Sequence, residues 1–313
     1  MNNMQRIILA GGSGFLGHAL AKYFGNAGHE VVILTRTPQV KTGNIREVGW
    51  DARRLGDWTQ ELEGAVAVIN LTGRSVDCRY NTQNRNEILE SRVASTRVMG
   101  EAIAQCKLPP RVWLNASTAT IYQHTFGPAW DEAGTISGTP EAKDIFSVEV
   151  ARAWEQELNM ATTPDTRKVA LRTAMVLGTG KNSVFPVLRR LVRLGLGGKM
   201  GNGKQYVSWI HEADFCRAVE RLITRDDLRG AINVCAPNPL PNFEMMRTLR
   251  SISGMSFGLP ATKWMLELGA FLLRTETELI LKSRRVIPRR LIESEFEFQF
   301  PSFREAAEDL DTK

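Results

Sequence analysis

The sequence lacks the features that define several large classes of protein. Its four cysteines are isolated, without a Cys-x-x-Cys pair, so we expect neither a disulfide scaffold nor a zinc site built on paired cysteines. The four histidines are equally dispersed, and no metal site is expected. The most apolar late stretch, residues 264–281, contains four charged residues and predicts an amphipathic helix instead of a membrane span.

Neither the N-terminus nor the overall charge indicates a secreted or a highly charged protein. The first residues show no basic segment followed by a long apolar run and a cleavage site, so the cytoplasm is the expected location. With Lys+Arg 40 against Asp+Glu 34, the formal charge is +6 on 313 residues. A hydrophobic content of 43% argues against disorder. The length has room for one large domain or two smaller ones.

Short apolar segments alternate with segments of helical spacing. Strands are predicted at 6–10, 31–35, 65–71, 111–116, 168–172, 206–210 and 231–235, and helices at 15–25, 87–106, 146–160, 213–224, 243–252 and 262–283. This alternation predicts an α/β fold, a Rossmann-type doubly wound parallel sheet with a smaller C-terminal substrate lobe. We assign residues 1–178 and 205–236 to the dinucleotide-binding domain, and residues 179–204 and 237–313 to the substrate lobe.

A glycine-rich segment connects the first predicted strand to the first predicted helix. It reads Gly11-Gly12-Ser13-Gly14-Phe15-Leu16-Gly17. Glycines at this spacing allow a tight turn, a close approach of the backbone to a pyrophosphate and close packing of the helix on the strand. The helix N-terminus then presents free N–H groups to the phosphates. The segment therefore predicts a dinucleotide-binding loop, with a plain strand-to-helix turn as the alternative.

The end of the second strand indicates which dinucleotide is bound. An acidic residue there would bind the free ribose 2′-hydroxyl of NAD. This strand instead ends in Thr35-Arg36, and the next acidic residue is Glu47. Because a guanidinium pairs well with a 2′-phosphate, we predict NADP(H) as the cofactor. The alternative is an ordinary exposed arginine at a strand end.

Further candidates follow from the rule that ligands bind at the carboxyl ends of parallel strands. Cofactor contacts are predicted at Asn70, Leu71, Thr72 and Gly73, and at Ser117 and Thr118 after the next strand. Either group could instead consist of turn and cap residues. Candidate substrate contacts are Arg79, Lys199, Gln205, Trp209 and His211. The basic, glycine-rich residues 195–204 suit a phosphate-bearing substrate, or form a simple flexible turn.

Together these motifs resemble the extended short-chain dehydrogenase/reductase family. The likeness rests on Gly11-x-x-Gly14-x-x-Gly17, Ser117-Thr-Ala-Thr-Ile-Tyr122, Leu171-Arg172 and Trp209-Ile-His-x-x-Asp214. More narrowly, the chain is similar to an atypical subfamily of nucleoside-diphosphate-sugar epimerases with a short C-terminal domain of unknown function. The resemblance implies NADP(H), Ser117 and Thr118 beside the nicotinamide, and a small-molecule substrate such as a nucleotide sugar. It also implies Arg172 as a further cofactor-binding residue near the second lobe.

The sequence departs from that family at its catalytic Tyr-x-x-x-Lys pair. Depending on the frame, Phe146 or Ser147 stands at the tyrosine position, and Val150 or Ala151 at the lysine position. The family's proton relay is therefore absent.

Other residues are candidates for the missing relay. We name Tyr122 as a candidate acid/base, with Ser117 and Thr118 as further catalytic candidates. A phenol with its ordinary pKa of about 10 needs a cationic neighbour to act at neutral pH, and Arg172 or Arg152 could supply it. A packed tyrosine with one hydrogen bond is an equally good interpretation of Tyr122.

Three functions remain open at the level of sequence. The first is an oxidoreductase or epimerase with a rebuilt relay, and the second is a cofactor-binding sensor without turnover. The third, nucleic-acid binding, is suggested by basic clusters at 189–193 and 282–290, but the modest net charge and the lack of an RNA-reading aromatic motif argue against it. We expect no nucleic-acid or membrane partner, and a monomer or a homodimer.

Overall fold

A parallel sheet forms the centre of the protein. The computed structural model describes residues 4–39, 43–262, 265 and 278–313. Its strands are β1 (Arg6–Ala10), β2 (Glu30–Thr35), β3 (Ile45–Gly49), β4 (Ala67–Asn70), β5 (Val112–Thr118), β6 (Arg167–Thr173), β7 (Met175–Leu177), β8 (Tyr206–Val207), β9 (Trp209–His211), β10 (Gly230–Val234) and β11 (Leu240–Pro241). The described α-helices are α1 (Phe15–Asn26), α2 (Thr82–Ala104), α3 (Ile145–Met160), α4 (Val184–Leu191), α5 (Glu212–Thr224), α6 (Asn242–Ile252), α7 (Glu278–Leu281), α8 (Arg289–Glu293) and α9 (Phe303–Asp311).

The order of the strands places a cleft at the centre of the sheet. Seven strands pair in the order β10-β6-β5-β4-β1-β2-β3, all of them parallel. The chain starts in the middle, runs outward through β2 and β3, and then continues on the other side of β1 with β4. The topological switch point therefore lies between β1 and β4, where doubly wound sheets bind ligands. The Rossmann-type α/β fold is confirmed.

Both faces of the sheet are covered by apolar side chains. Along β1, Ile7 belongs to a core with Phe24 and Phe215 from α1 and α5, whereas Ile8 belongs to a core with Trp113 and Met99 on the other face. Successive residues of a strand point to opposite faces, so a strand that is covered on both faces is apolar at nearly every position. This requirement produces the near-continuous apolar runs that predicted the strands.

The later part of the chain adds two small sheets and a core of its own. β7 pairs with β9 in parallel, and β8 pairs with β11 in an antiparallel arrangement. A separate apolar cluster joins side chains from α4, α6, β9 and α9. The division of the chain into a dinucleotide-binding domain and a substrate lobe stays a prediction.

Some predicted elements differ from the observed ones. The single strand predicted at 206–210 is two short strands, because β8 and β9 pair with different partners. The edge strand β3 and the helix α9 were not predicted. Most of the helix predicted at 262–283 lies outside the described residues, which resume at α7. In the described ranges, none of the helices is both long enough and apolar enough to cross a membrane.

Candidate functional site

The glycines of the first loop serve different purposes. Gly11 has a φ of +71°, a conformation that favours glycine, and a Cβ there would lie 2.7 Å from Thr72 Oγ1. A Cβ on Gly17 would collide with the backbone of Gly12, so α1 packs directly on the loop. A Cβ on Gly14, by contrast, would meet nothing within 4 Å. The protein itself needs Gly11 and Gly17, whereas the space beside Gly14 is available to a ligand.

The N-terminus of α1 opens toward that space. Gly14 is its N-cap, and among the residues that the structure describes no side chain caps the first turn. Ser13 is exposed, and Leu16 packs against the core beneath the loop. The Phe15 ring closes one side of the site, because a Cβ on Gly178 or Gly180 would lie 2.5 or 2.8 Å from it. The uncapped N–H groups and the helix dipole together favour an anion here.

Arg36 directly follows β2, and its guanidinium is available to bind a ligand. Its side chain is exposed and forms no hydrogen bond or ion pair with any residue that the structure describes. Thr35, the preceding residue, is buried in the sheet. Glu47, the next acidic residue in the sequence, accepts a hydrogen bond from the Gln39 backbone at 2.7 Å. The position therefore presents a cation beside the loop.

Asn70 at the end of β4 supports the site from beneath. It is fully buried, and its amide donates to Asn115 Oδ1 at 2.8 Å while its oxygen accepts from the Thr72 backbone at 3.1 Å. Its side chain is thus used within the protein, and its contact with a cofactor stays a prediction. Leu71 packs partly on the core. Thr72 and Gly73 are the residues of this segment that border the glycine loop and the solvent.

The end of β5 belongs to a buried polar network. Ser117 Oγ donates to Glu155 Oε1 at 2.6 Å, and Glu155 in turn pairs with Arg172. Arg172 Nη1 donates to the Tyr122 hydroxyl at 2.8 Å, and that hydroxyl donates to Asn233 Oδ1 at 2.7 Å. The network joins β5, β6, β10 and α3. The side-chain hydroxyl groups of Ser117 and Tyr122 therefore form their hydrogen bonds within the protein.

This burial bears on the proposed acid/base role of Tyr122. Its side chain is 1% exposed, and burial raises its pKa to about 12 in spite of the neighbouring Arg172. A neutral, enclosed phenol is poorly placed to exchange protons with a substrate. Arg172 is also enclosed, at 5% exposure. Thr118 Oγ1 accepts a hydrogen bond from the Thr120 backbone and caps a turn of 3₁₀-helix. The geometry favours a structural role for this group.

Different groups occupy the positions where the short-chain dehydrogenase/reductase family that the sequence resembles carries its Tyr/Lys pair. The Phe146 ring packs edge-on against Tyr80, with 5.1 Å between centroids. Ser147 Oγ donates to Glu278 Oε2 at 2.8 Å. Val150 and Ala151 are buried in the interior. At the expected position of the Tyr/Lys pair, this protein therefore has a hydrogen bond between the Ser147 hydroxyl and the Glu278 carboxylate.

Glu278 is a functional candidate that sequence reasoning missed. It is 4% exposed, burial raises its pKa, and Oε1 has no hydrogen-bond partner among the described residues. It lies 131 residues from Ser147, in a segment whose sequence predicts only an amphipathic helix. No local motif could have identified it.

Glu278 borders a cavity of about 290 Å³. The lining residues come from the segments after β5, before α3 and before β8, and from α7: His124, Phe126, Glu141, Ala142, Lys143, Gly201, Asn202, Gln205, Glu278 and Leu281. Of the predicted substrate contacts, Gln205 is present here, although its amide also donates to the Met200 carbonyl at 2.9 Å. Lys199 is exposed but does not line the cavity, and Arg79 is half-buried, with its carbonyl accepting from Asn84.

Two predicted substrate contacts are enclosed by the C-terminal helix α9. Trp209 is completely buried, donates to the Asn238 carbonyl at 3.2 Å and packs edge-on against Phe303. His211 is also completely buried; its Nδ1 accepts from the Ala213 backbone at 3.0 Å, which caps α5, and Nε2 lies 3.0 Å from Asp309 Oδ2. The polar atoms of both side chains are thus used within the fold, and their contact with a substrate stays a prediction.

Comparison with known proteins agrees with this architecture. Residues 7–235 match the model of the NAD dependent epimerase/dehydratase family, and residues 261–310 match a domain of unknown function, DUF1731. The human epimerase family protein SDR39U1 is 27% identical over 309 residues, covering 98% of this chain and 99% of the relative. The Bacillus subtilis epimerase family protein YfhF is 29% identical over 309 residues, covering 98% of both.

Solved structures show the same similarity. The crystal structure of human SDR39U1 with NADPH has a TM-score of 0.86 and 26% identity, covering 99% of this chain and 100% of the other. A UDP-N-acetylglucosamine 4-epimerase from Bacillus cereus, at 19% identity, has a TM-score of 0.74 over 98% of this chain and 96% of its own. This second likeness concerns the fold alone.

Proposed function

This chain belongs to the NAD dependent epimerase/dehydratase family, and we propose that it binds NADP(H) and acts as an oxidoreductase or epimerase on a small carbonyl or hydroxyl substrate. One arrangement carries the proposal: an open glycine, Gly14, at the N-terminus of α1, with the uncommitted cation Arg36 beside it. The presence of NADPH in the structure of the human relative supports it.

The residues present fit such a cofactor. The pyrophosphate would lie against Gly14 and the N–H groups of α1, where a side chain would otherwise fill the space. Arg36 would pair with the 2′-phosphate. Phe15, packed on residues 178–180, would exclude water from one side of the loop. When bound, NADP(H) supplies or accepts a hydride, and the chain holds the reacting groups in position.

The cavity beside Glu278 is the proposed substrate site. His124 Nδ1 accepts a hydrogen bond from the Ser283 backbone at 2.8 Å, so the neutral ring carries its proton on Nε2. The lining of the cavity thus includes a ring N–H donor and the Glu278 carboxyl group. Such a pair suits the hydroxyl groups of a small polar substrate, for which a nucleotide sugar or another phosphate-bearing molecule is our proposal.

A second function has its own support. The family's Tyr/Lys pair is absent, and Tyr122 is enclosed in the buried network. A protein that binds NADP(H) and changes shape without turnover would need neither group. Single-turnover absorbance at 340 nm with a panel of carbonyl substrates separates the two functions. Oxidation of bound NADPH by any of them supports the enzyme, and none by all of them supports the sensor.

The basic residues near the C-terminus are used within the protein. Lys282 pairs with the buried Asp144, and Arg289 pairs with Glu293 and Asp131. These contacts support leaving nucleic acid out of the proposal. We propose a monomer or a homodimer with a small-molecule partner.

Cofactor binding can be tested directly. Mass spectrometry of the purified protein should detect a bound dinucleotide, and titration should give tighter binding of NADPH than of NADH. Arg36→Ala should raise the NADPH Kd by about tenfold or more and leave the NADH Kd unchanged, since only NADPH carries the 2′-phosphate. Arg111→Ala is the control and should change neither, because Arg111 directly precedes β5 and so lies at the amino-terminal ends of the parallel strands, away from Arg36. Equal Kd values for the two cofactors in the wild type would contradict the proposal.

A further inference from the structure

Arg92 is a cation without a carboxylate partner on the helix α2. Its Nη1 donates to two backbone carbonyls, those of Ile88 at 2.9 Å and Arg74 at 3.1 Å. Within the described part of the chain, no carboxylate contacts the guanidinium, and neither Nε nor Nη2 forms a hydrogen bond. Arg172, by contrast, donates two hydrogen bonds to Glu155. Arg92 therefore keeps two unused donors.

The guanidinium of Arg92 lies close to the indole of Trp154 and to Gly73. Its Cζ is 5.0 Å from the ring centroid of Trp154. A Cβ on Gly73 would come within 3.0 Å of Cζ and 3.2 Å of Nη2. Because Gly73 is exposed and directly follows Thr72, which contacts Gly11, the guanidinium borders the cleft of the glycine loop. A side chain at residue 73 would cover it.

The surroundings favour an anion from outside the protein. Burial lowers the pKa of Arg92 to about 10, because the guanidinium loses water and gains no carboxylate, yet it stays protonated at neutral pH. A partly buried cation without a carboxylate counter-ion loses part of its hydration, and a bound anion would relieve that cost. Thr72 Oγ1 is likewise buried without a hydrogen-bond partner among the described residues. A planar cation beside an unsatisfied hydroxyl suits the oxygens of a phosphoryl group.

We propose that Arg92 binds a phosphoryl group in the cleft between Gly73 and the glycine loop. The inference rests on the proposed function, since the pyrophosphate of NADP(H) is the phosphoryl group expected at this loop. A phosphoryl group of the substrate has the same chemistry, so the test must separate these two sources.

The experiment compares Arg92→Gln and Arg92→Lys with a matched control. Arg85→Gln is that control: Arg85 lies on the same helix, stacks on an aromatic ring at 4.8 Å and donates to a backbone carbonyl, but is about 10 Å away along the helix axis. Each protein is titrated with NADPH, and each NADPH complex is then titrated with inorganic pyrophosphate. Unfolding midpoints in urea establish that every variant is folded.

The expected result is an increase of the NADPH Kd by about tenfold or more in Arg92→Gln and a smaller increase in Arg92→Lys, which keeps the charge but loses the planar donor edge. Arg85→Gln should bind like the wild type. If the NADPH Kd is unchanged but pyrophosphate binds the NADPH complex of Arg92→Gln more weakly, the phosphoryl group belongs to the substrate.

Two other outcomes separate this inference from the proposed function. If the wild type binds NADPH and Arg92→Gln matches it in both titrations, the role of Arg92 is overturned while the proposed function stands. If the wild type fails to bind NADPH, the proposed function is wrong, and Arg92 is then judged by pyrophosphate titration of the protein without NADPH. Equal pyrophosphate affinities of wild type and Arg92→Gln would overturn the inference there too.

Discussion

The Arg172 guanidinium donates to both carboxylate oxygens of Glu155, from Nε to Oε1 and from Nη2 to Oε2, each at 2.8 Å. Both side chains are largely buried, with 6% and 12% exposed. Ser117 Oγ donates to the same carboxylate. The ion pair thus ties α3 to β6, and the Ser117 hydroxyl ties β5 to the same carboxylate.

Removing one member of this pair should be costly. Glu155→Gln leaves the Arg172 charge buried without a counter-ion, and we expect the free energy of unfolding to fall by about 3–5 kcal/mol. Urea denaturation measures the loss. Glu157→Gln is the matched control: it is two residues away on α3 and breaks the ion pair with Arg97, whose side chain is 55% exposed. That pair should contribute less than about 1 kcal/mol. Similar losses in both variants would contradict the buried-pair argument.

The Tyr122 hydroxyl is predicted to stabilise the fold and to leave the chemistry unaffected. Tyr122→Phe removes a hydrogen-bond partner from Arg172 and from Asn233, and should lower the free energy of unfolding by about 1–3 kcal/mol. The NADPH Kd should be unchanged, as should the rate of NADPH oxidation for any substrate that the panel identifies. A folded Tyr122→Phe protein that binds NADPH normally but loses turnover would restore Tyr122 as the acid/base.

The parts of the fold that could be predicted are those governed by local sequence patterns. Strands such as β1 and β2 are apolar at nearly every position because both sheet faces are covered, and the glycine spacing of the first loop is contained within seven consecutive residues. The strand β3 was missed because it forms the edge of the sheet. Its side chains are only half-buried, so Ile45-Arg-Glu-Val-Gly49 shows no apolar run.

Gly14 and Gly17 should respond differently to the same substitution. Gly14→Ala places a Cβ in empty space with an ordinary backbone conformation, so stability should be kept, while the NADPH Kd should rise by about tenfold or more because the methyl group occupies the proposed ligand space. Gly17→Ala forces a Cβ into the backbone of Gly12 and should cost about 1–3 kcal/mol of stability. Thermal unfolding and NADPH titration of both variants check this. A Gly14→Ala protein with wild-type affinity would show that no ligand approaches the loop there.

The candidate site was predictable only where its members are neighbours in sequence. Arg36 follows directly from the end of a strand, and the glycine loop from its spacing. His211 also follows a strand, but its partner Asp309 lies 98 residues later on α9, which the sequence did not predict. The contact of Ser147 with Glu278 spans 131 residues. Only the packing of distant segments shows that one histidine is enclosed and that one carboxylate reaches the cavity.

His211 should make stability depend on pH. Its Nδ1 must be unprotonated to accept from the Ala213 backbone, and burial lowers its pKa below the usual value although Asp309 acts in the opposite direction. Below a pH of about 6.5, His211 therefore binds a proton in the unfolded chain but stays neutral in the folded protein. The stabilisation is complete above that pH and is lost as the pH falls toward the lowered pKa. Its slope is at most about 1.4 kcal/mol per pH unit.

Urea denaturation between pH 5 and pH 7.5 measures this dependence. His211→Asn keeps a side chain that caps helices well but does not titrate. Below pH 6.5 the free energy of unfolding should therefore depend less steeply on pH, by an amount that corresponds to at most one bound proton. Burial also lowers the pKa of His124, and His124→Asn should remove a separate part of the slope. Because the two rings lie in different parts of the fold, with His211 beneath α9 and His124 beside the cavity, their effects should add in the double variant. If His211→Asn follows the wild-type curve throughout this range, the capping histidine is not the group that titrates.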